Sequence, residues 1–504
     1  MWPIAGSLQG VTTLPTKPAD QKWAPGLTAR VRLGIRSGPT TGDHGPGLSA
    51  VRLSNPRIQD VPMYRCPPVL AALALLASPA AAGGFGIPEM GTRRTAMAAA
   101  VGRPDEPSAV FHNPAGLTLL SGVHVYASFG LSLLDTEFRV RPWADSDRFI
   151  DAPVDADGYY PTTRPTRAMG VIPMVVATAE ILDDRLYGAA SLYVSNATGA
   201  AFADDDVTRY HLIDGYVVSP LAQVSAAYRL APKIAVGAGF GMMNVRIHGN
   251  RYVFPIVNGT DVSTLVGSQP ELTLDGSDWV PSWNLGVLAT PVPRLTLGAT
   301  VIARSDARLQ GPVVVQYSDD AAAPDRLRGF QETELLLPWT FMAGANVDAT
   351  PQVEVGVELR YFLYRQYDRQ LTKVNDIFLV QQLETVKDYR DSYAVSGGVR
   401  VHDLGRVPGL ELMLGGHYDR TPAPARTVTL DQPTFSHVGL HSGLRWSFGR
   451  YRLGASYIHY WYDVPTIEDS ITSPPSNIDG RGGNNIFSAQ FEGTFGDGAL
   501  VGGV

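Results

Sequence analysis

Residues 353–361 read VEVGVELRY. Val353, Val355, Val357, Leu359 and Tyr361 take the odd positions, and Glu354, Gly356, Glu358 and Arg360 take the even ones. Successive side chains of an extended chain point to opposite faces, so this is a strand with one apolar and one charged face. Residues 438–446, VGLHSGLRW, repeat the scheme, with Val438, Leu440, Leu444 and Trp446 on one side and His441 and Arg445 on the other. Residues 295–301 place Thr and Gly on the second face, while 392–401 and 409–419 alternate more loosely. Faces so unlike, repeated along the chain, suit a wall between an apolar and a wet compartment.

The same pattern predicts fourteen strands, over 122–140, 168–181, 185–196, 218–230, 233–247, 279–290, 294–304, 334–348, 352–365, 389–402, 409–420, 435–448, 451–463 and 484–496. Their links alternate. Those at 141–167, 197–217, 248–278, 305–333, 366–388, 421–434 and 464–483 are long, and those at 182–184, 231–232, 291–293, 349–351, 403–408 and 449–450 are short. A soluble sandwich or propeller has no reason to gather its long loops at one end. An outer-membrane barrel does, with short periplasmic turns, long outer loops and an even number of antiparallel strands. The expected fold class is therefore all-β, a 14-stranded antiparallel transmembrane β-barrel over 122–496 with 497–504 as a C-terminal tail. Such barrels commonly close on a strand ending in an aromatic residue. Here Phe495 is followed by further chain, so either the last strand ends at Phe495 or the count fails there.

Composition agrees. The 504 residues include 52 Gly, 21 Tyr and 17 Phe, and only 18% are charged, a profile of turns and strands. A net charge of -7 without a cluster of Lys and Arg excludes a nucleic-acid surface. The single cysteine, Cys66, allows no internal disulfide framework. It lies in MYRCPPVLAALALLASPAAAGGFG, from Met63, where Arg65, an apolar run over 69–77 and the small residues Ala80 to Ala82 read as a secretory signal peptide over 63–82, cut near Ala82. About ten apolar residues fall short of the ~20 that span a bilayer. Residues 1–62 then form an aperiodic extension, spurious or disordered, with Met63 as the expected start of translation.

Residues 83–121 do not alternate. Gly83, Gly84, Gly86, Pro88, Gly91, Pro104 and Pro107 break them into short pieces, too irregular for wall. On physical grounds they suit either a plug inside the barrel or a periplasmic linker. The stretch GFGIPEMGTRRTAMAAAVGRPDEPSAVFHNPAGLTLLSG resembles the N-terminal hatch of the FadL/TodX-type outer-membrane transporters of long-chain fatty acids, marked by Asn-Pro-Ala before the first strand. Asp278-Trp279, Trp283-Asn284-Leu285-Gly286-Val287, Arg304-Ser305, Leu337-Pro338 and Tyr418-Asp419-Arg420-Thr421-Pro422 follow in family-like order, so the resemblance covers 83–496. It implies a 14-stranded barrel, capture of a hydrophobic substrate in the outer loops, a lumen pocket, and lateral exit through a gap in the wall when the hatch rearranges. It implies a hatch motif at Asn113, Pro114, Ala115 and Gly116, and contact of Phe85 and Ile87 with the pocket. The expected function is passive transport of long-chain fatty acids. The alternatives are another hydrophobic compound such as an aromatic hydrocarbon, or a structural or adhesive barrel.

Other expectations come from the residues themselves. Val253, Phe254, Ile256 and Leu265 are apolar where an outer loop is normally polar, and are expected to bind substrate in a capture groove. Gly188 and Gly199 flank the third strand and are candidates for interrupting its ladder at a lateral gap. Arg360, Arg400 and Arg445 sit on inward faces as possible carboxylate anchors. No enzyme chemistry, cofactor or metal is expected. His437 and His441 share a face about 13 Å apart at strand rise, too far to chelate one ion, and Asp204 to Asp206 read as a solvated loop tip. The expected partners are a hydrophobic small molecule, outer-membrane lipid and lipopolysaccharide, with the protein a monomer in the bacterial outer membrane.

Overall fold

The computed structural model describes residues 86–166, 168–257, 260–261, 270–316, 326–377, 381–405 and 407–496. The expected extension, signal peptide and C-terminal tail, together with Phe85 and Leu265, lie outside the described residues.

The wall is a closed antiparallel barrel of fourteen strands. These are β1 (Val123–Val140), β2 (Met169–Leu182), β3 (Leu186–Ala201), β4 (Asp214–Ala231), β5 (Ile234–Tyr252), β6 (Glu271–Val292), β7 (Leu295–Ile302 and Ser305–Gln316) and β8 (Arg326–Leu337 and Thr340–Thr350). There follow β9 (Val353–Phe362 and Arg369–Asn375), β10 (Gln382–Val386 and Ser392–Val401), β11 (Leu410–Asp419), β12 (Ser436–Phe448), β13 (Tyr451–Asp463) and β14 (Ile478–Phe495). Each pairs with its neighbour in sequence, and β14 closes on β1 from Val123↔Phe495 to Val140↔Ile478. The last strand thus ends at Phe495 with the count intact.

The faces are inverted relative to a soluble protein. On β9, Val357 is 56% and Leu359 46% exposed, while Glu354 is 0%, Glu358 4% and Arg360 3% exposed. β12 does the same, with Val438, Leu440 and Trp446 outward and His437, His441 and Arg445 buried. Apolar side chains outside and satisfied charges inside are what lipid demands. Among the described residues no helix is long and apolar enough to cross a membrane.

The strands outrun expectation at the outer end. Ser305–Gln316 and Arg326–Leu337 pair from Ser305↔Leu337 to Gln316↔Arg326 where a loop over 305–333 was expected. Arg369–Asn375 and Gln382–Val386 do so within 366–388, and β6 and β14 begin earlier than predicted. In these segments the apolar side chains, Leu309, Val313, Val315 and Val374, are the buried ones, the reverse of the pattern that marks the wall lower down.

Residues 86–121 form an inner segment with two short helices, α1 (Thr92–Met97) and α2 (Ala109–His112), and a 3-10 turn, Pro114–Leu119. Its backbone is met by side chains of the wall. Thr92 N–H donates to Gln490 at 2.8 Å, Ala100 and Val101 N–H donate to Glu358 at 2.8 and 3.0 Å, and Val110 C=O accepts from Asn284 and Gln223 at 2.8 and 3.0 Å. Irregular chain survives in such a place only with partners of this kind. Burial pushes the His112 imidazole down to about 3, so it stays neutral and its Nε2–H donates to Met90 C=O at 2.8 Å.

Close approach is made possible by wall glycines facing one another across the ladders. Gly237 and Gly286, Gly298 and Gly344, and Gly398 and Gly415 are register partners. A Cβ at Gly298 would lie 2.0 Å from Val101 O, and one at Gly398 would lie 2.1 Å from Met97 O. The inner segment rests backbone to backbone on the wall.

Candidate functional site

A cavity enclosing about 950 Å³ of non-protein space, part of it open, lies between the inner segment and the strands from β3 to β11. Ile87, Phe111, Tyr193, Leu221, Met243 and Met342 supply its apolar lining, and the Phe111 and Tyr193 rings meet edge to face at 5.9 Å. Arg94, Arg360 and Asp419 also line it. Arg360 Nε donates to Glu358 at 2.6 Å, and Arg94 Nη1 donates to Ala98 C=O at 2.8 Å and Ser396 Oγ at 3.0 Å. The space within it that a water-sized sphere can occupy is about 100 Å³, and the lining, mostly apolar with a few polar groups, has the character of a small-molecule site.

One edge of the cavity is a fault in the wall. The β2–β3 ladder runs from Leu182↔Leu186 only to Met174↔Tyr193, although both strands continue. Pro173, next along β2, has no N–H to donate. Opposite it the β3–β4 register shifts between Val194 and Asn196. The inner segment occupies the break, with Gly86 bridging Asn196 and Ile87 N–H donating to Ser195 C=O at 3.1 Å. Tyr193, Ser195 and Asn196 line the cavity as well. Gly188, by contrast, is paired on both sides, with Ala179 and Ala226. Gly199, at φ 157°, pairs with Tyr216 of β4 but lies on the stretch of β3 that has left the β2 ladder. The interruption thus begins past Tyr193 and takes in Ser195 and Gly199 but not Gly188.

Asn113 ties the inner segment together. Its Nδ2 donates to Val101 C=O at 3.2 Å and to Val287 C=O of β6 at 3.0 Å, and its Oδ1 accepts from Ala115 N–H at 3.2 Å. Pro114 opens the following turn, where its missing N–H costs nothing, and Gly116 lies so close to Pro104 that a Cβ would approach its Cγ to 2.2 Å. Replacing Asn113 by Ala removes these bonds and orphans buried carbonyls. The expected loss is about 1–3 kcal/mol of local stability, read as faster amide exchange at residues 113–119 with the wall strands unchanged.

A family model described as "Outer membrane protein transport protein (OMPP1/FadL/TodX)" matches residues 73–495. The chain belongs to this family. It is a transporter of hydrophobic compounds in the bacterial outer membrane. Solved structures agree in fold. A FadL homologue from Pseudomonas aeruginosa superposes with a TM-score of 0.67 at 15% identity, covering 82% of this chain and 100% of that one. The toluene transporter TodX of P. putida gives 0.61 at 13%, covering 82% and 99%, and the toluene transporter TbuX of Ralstonia pickettii gives 0.58 at 14%, covering 82% and 99%. A search of curated protein sequences finds no match.

Within this transporter the three arginines part company. Arg360 lines the cavity, whereas Arg400 and Arg445 are held by Asp105 of the inner segment, at 3.2 and 3.0 Å, and by Glu411, at 3.2 and 2.8 Å. Of the outer-loop residues, Val253 is buried with Leu272, Val313, Val315, Val374 and Ile377. Phe254 packs on Trp143 and Tyr210, with ring centroids 5.3 and 6.4 Å away, and Ile256 is half-buried in a two-residue ladder with Asp261. These side chains pack on the loops and upper strands and do not form an open groove. Asp206 is used locally, accepting from Thr163 and Thr208.

Sequence reasoning missed His417. It enters from β11 between His437 and His441, its Nδ1 2.6 Å from His441 Nε2 and its ring centroid 5.0 Å from that of His437. The signal is the β11–β12 register, which sets His417 against Gly439 and leaves room for its ring there. Among the described residues no group of side chains is placed to hold a metal.

Proposed function

We propose that the transporter carries long-chain fatty acids passively. Substrate enters past the outer loops, rests in the lumen cavity, and leaves sideways through the β2–β3 break once the inner segment, acting as a hatch, withdraws from Ser195 and Asn196. The observation that carries this reading is that the cavity and the break share Tyr193, Ser195 and Asn196. An apolar chain gains about 0.8 kcal/mol per CH₂ buried, so an exit into lipid avoids a return to water. Arg360 at the polar end favours an acid over a hydrocarbon. The proposal includes export by a signal peptide over 63–82, function as a monomer, and contact of the outer face with lipid and lipopolysaccharide.

A second reading, uptake of aromatic hydrocarbons, draws on the similar toluene transporters and on the Phe111–Tyr193 edge; it needs no cation. Uptake of labelled oleate and toluene by a deletion strain complemented with this gene separates the two, and failure of both from an inserted barrel points to a structural or adhesive role. Arg360→Gln is expected to cut oleate uptake by about tenfold or more, the equivalent of one charge-assisted hydrogen bond, and to leave toluene uptake within about twofold. Equal loss of both would remove the anchor role.

A further inference from the structure

Three polar atoms on the cavity-lining residues have no partner, Arg94 Nε among them. Arg360 Nη2 and Asp419 Oδ1 are both buried and unbonded. The first only donates, and the second, as a carboxylate, only accepts. Arg360 is bonded to Glu358 instead, and among the described residues no ion pair joins it to Asp419. Buried orphans of opposite sense on one cavity ask for a group that offers both an acceptor and a donor.

The surrounding charges narrow that group. Arg360 and Arg94 both face Glu358, at 2.6 and 3.6 Å. Glu89, from the inner segment, accepts the Tyr460 hydroxyl at 2.6 Å, and burial pushes its carboxyl toward the protonated form. Two arginines thus face the carboxyls of Glu358 and Asp419 on one cavity. The remaining neighbours add no anion. His417 precedes Asp419 on β11, His437 is its register partner on β12, His441 is bonded to His417, and Tyr462 stands beside Tyr460 on β13. A bare carboxylate would bring an unmatched buried charge, which is strongly unfavourable, whereas a neutral O–H group would not.

We propose that the cavity takes the polar end of its substrate as a neutral O–H group, which donates to Asp419 and accepts from Arg360, so that a fatty acid is bound together with one proton. The proton is shared between the two carboxyls and comes from solvent; no covalent bond changes. Asp419 is then a specificity residue, and esters and hydrocarbons gain nothing from it. The inference rests on the fatty-acid reading above.

The test uses the purified full-length protein in detergent, with dodecanoate and 1-dodecanol as probes, by calorimetry between pH 7 and 9 in buffers of different ionisation heat. A protein-free blank in the same detergent removes the titration of dodecanoate itself. Toward pH 9 its binding is expected to take up close to one proton and to weaken by up to about tenfold per pH unit, while dodecanol binding stays flat. In Asp419→Asn, whose amide donates without a proton, dodecanoate binding is expected to lose the pH slope. Dodecanoate binding with no proton uptake, or an equal slope for dodecanol, overturns the inference and leaves the fatty-acid reading standing. No dodecanoate binding at any pH, with toluene bound, overturns both. Should Asp419→Asn fail to fold, the two-probe comparison on the unaltered protein still decides.

Discussion

Replacing Gly298 by Val is expected to drive the inner segment from its seat and turn a closed barrel into a leaky one. A Cβ at this position would stand 2.0 Å from the Val101 carbonyl oxygen and 2.9 Å from Asn113 Nδ2. The first is backbone, and no rotamer relieves it. Overpacking a tight site ordinarily costs about 1–3 kcal/mol, and Val brings two methyl groups beyond Cβ. The register partner, Gly344, is pressed in the same way by Gly102 N at 2.6 Å, so the wall cannot shift toward it to make room. The barrel ladder itself is untouched, since β7 keeps its partners on β6 and β8. The variant should therefore insert normally, show raised ion conductance in planar bilayers, and lose amide-exchange protection over 98–116. Gly405→Val, at a site with nothing within 4 Å, is the control. A Gly298 variant with the conductance and protection of the unaltered protein would show that the segment is not held by this contact.

That expectation depends on structure the sequence only half reveals. The wall was legible because lipid inverts the usual rule: Val355, Val357 and Leu359 must face out and Glu354, Glu358 and Arg360 in, and alternation of that strength survives in a single strand. The alternation of long and short links then pointed to a barrel. What each inward charge is for was not legible, because its partner lies far along the chain. Glu358 looks like a lumen charge lining water, yet it accepts the backbone of Ala100 and Val101. The glycines of the second faces gave no sign that they pair across ladders beneath the inner segment. The wall fault was sought at glycines, and a further signal was Pro173, whose missing donor falls where the β2–β3 ladder ends and the β3–β4 register shifts. The outer apolar run was read as exposed because nothing in sequence shows Trp143 and Tyr210 arriving to cover Phe254.

Asp105→Ala is expected to free the opposite side of the inner segment. The Asp105 carboxylate accepts from Arg445 at 3.0 and 3.3 Å, from Arg93 at 3.2 Å and from Arg400 at 3.2 Å. Two of these arginines belong to the wall, so one side chain joins β10 and β12 to the inner segment. Burial raises its pKa, but the Arg445, Arg93 and Arg400 guanidiniums outweigh that and hold it well below the usual carboxylate range. Removing it leaves Arg400 and Arg445 to Glu411 and Glu354 and tips a buried cluster toward positive charge. Breaking a buried pair costs about 3–5 kcal/mol; with the Asp105 side chain 23% exposed, the low end applies. Because the folded pKa is depressed, this contribution is fully present above the unfolded value near ~4 and is lost as pH falls through the folded one. The unaltered protein should then keep its latch throughout the neutral and mildly acid range and release it only in strong acid. Asp105→Ala should show rapid exchange and protease cleavage across 92–108 at pH 7, with no further change on acidification to pH 4. Protection at pH 7 equal to that of the unaltered protein would mean that the glycine seat alone holds the segment, and that the arginines on the wall serve the barrel rather than the inner segment.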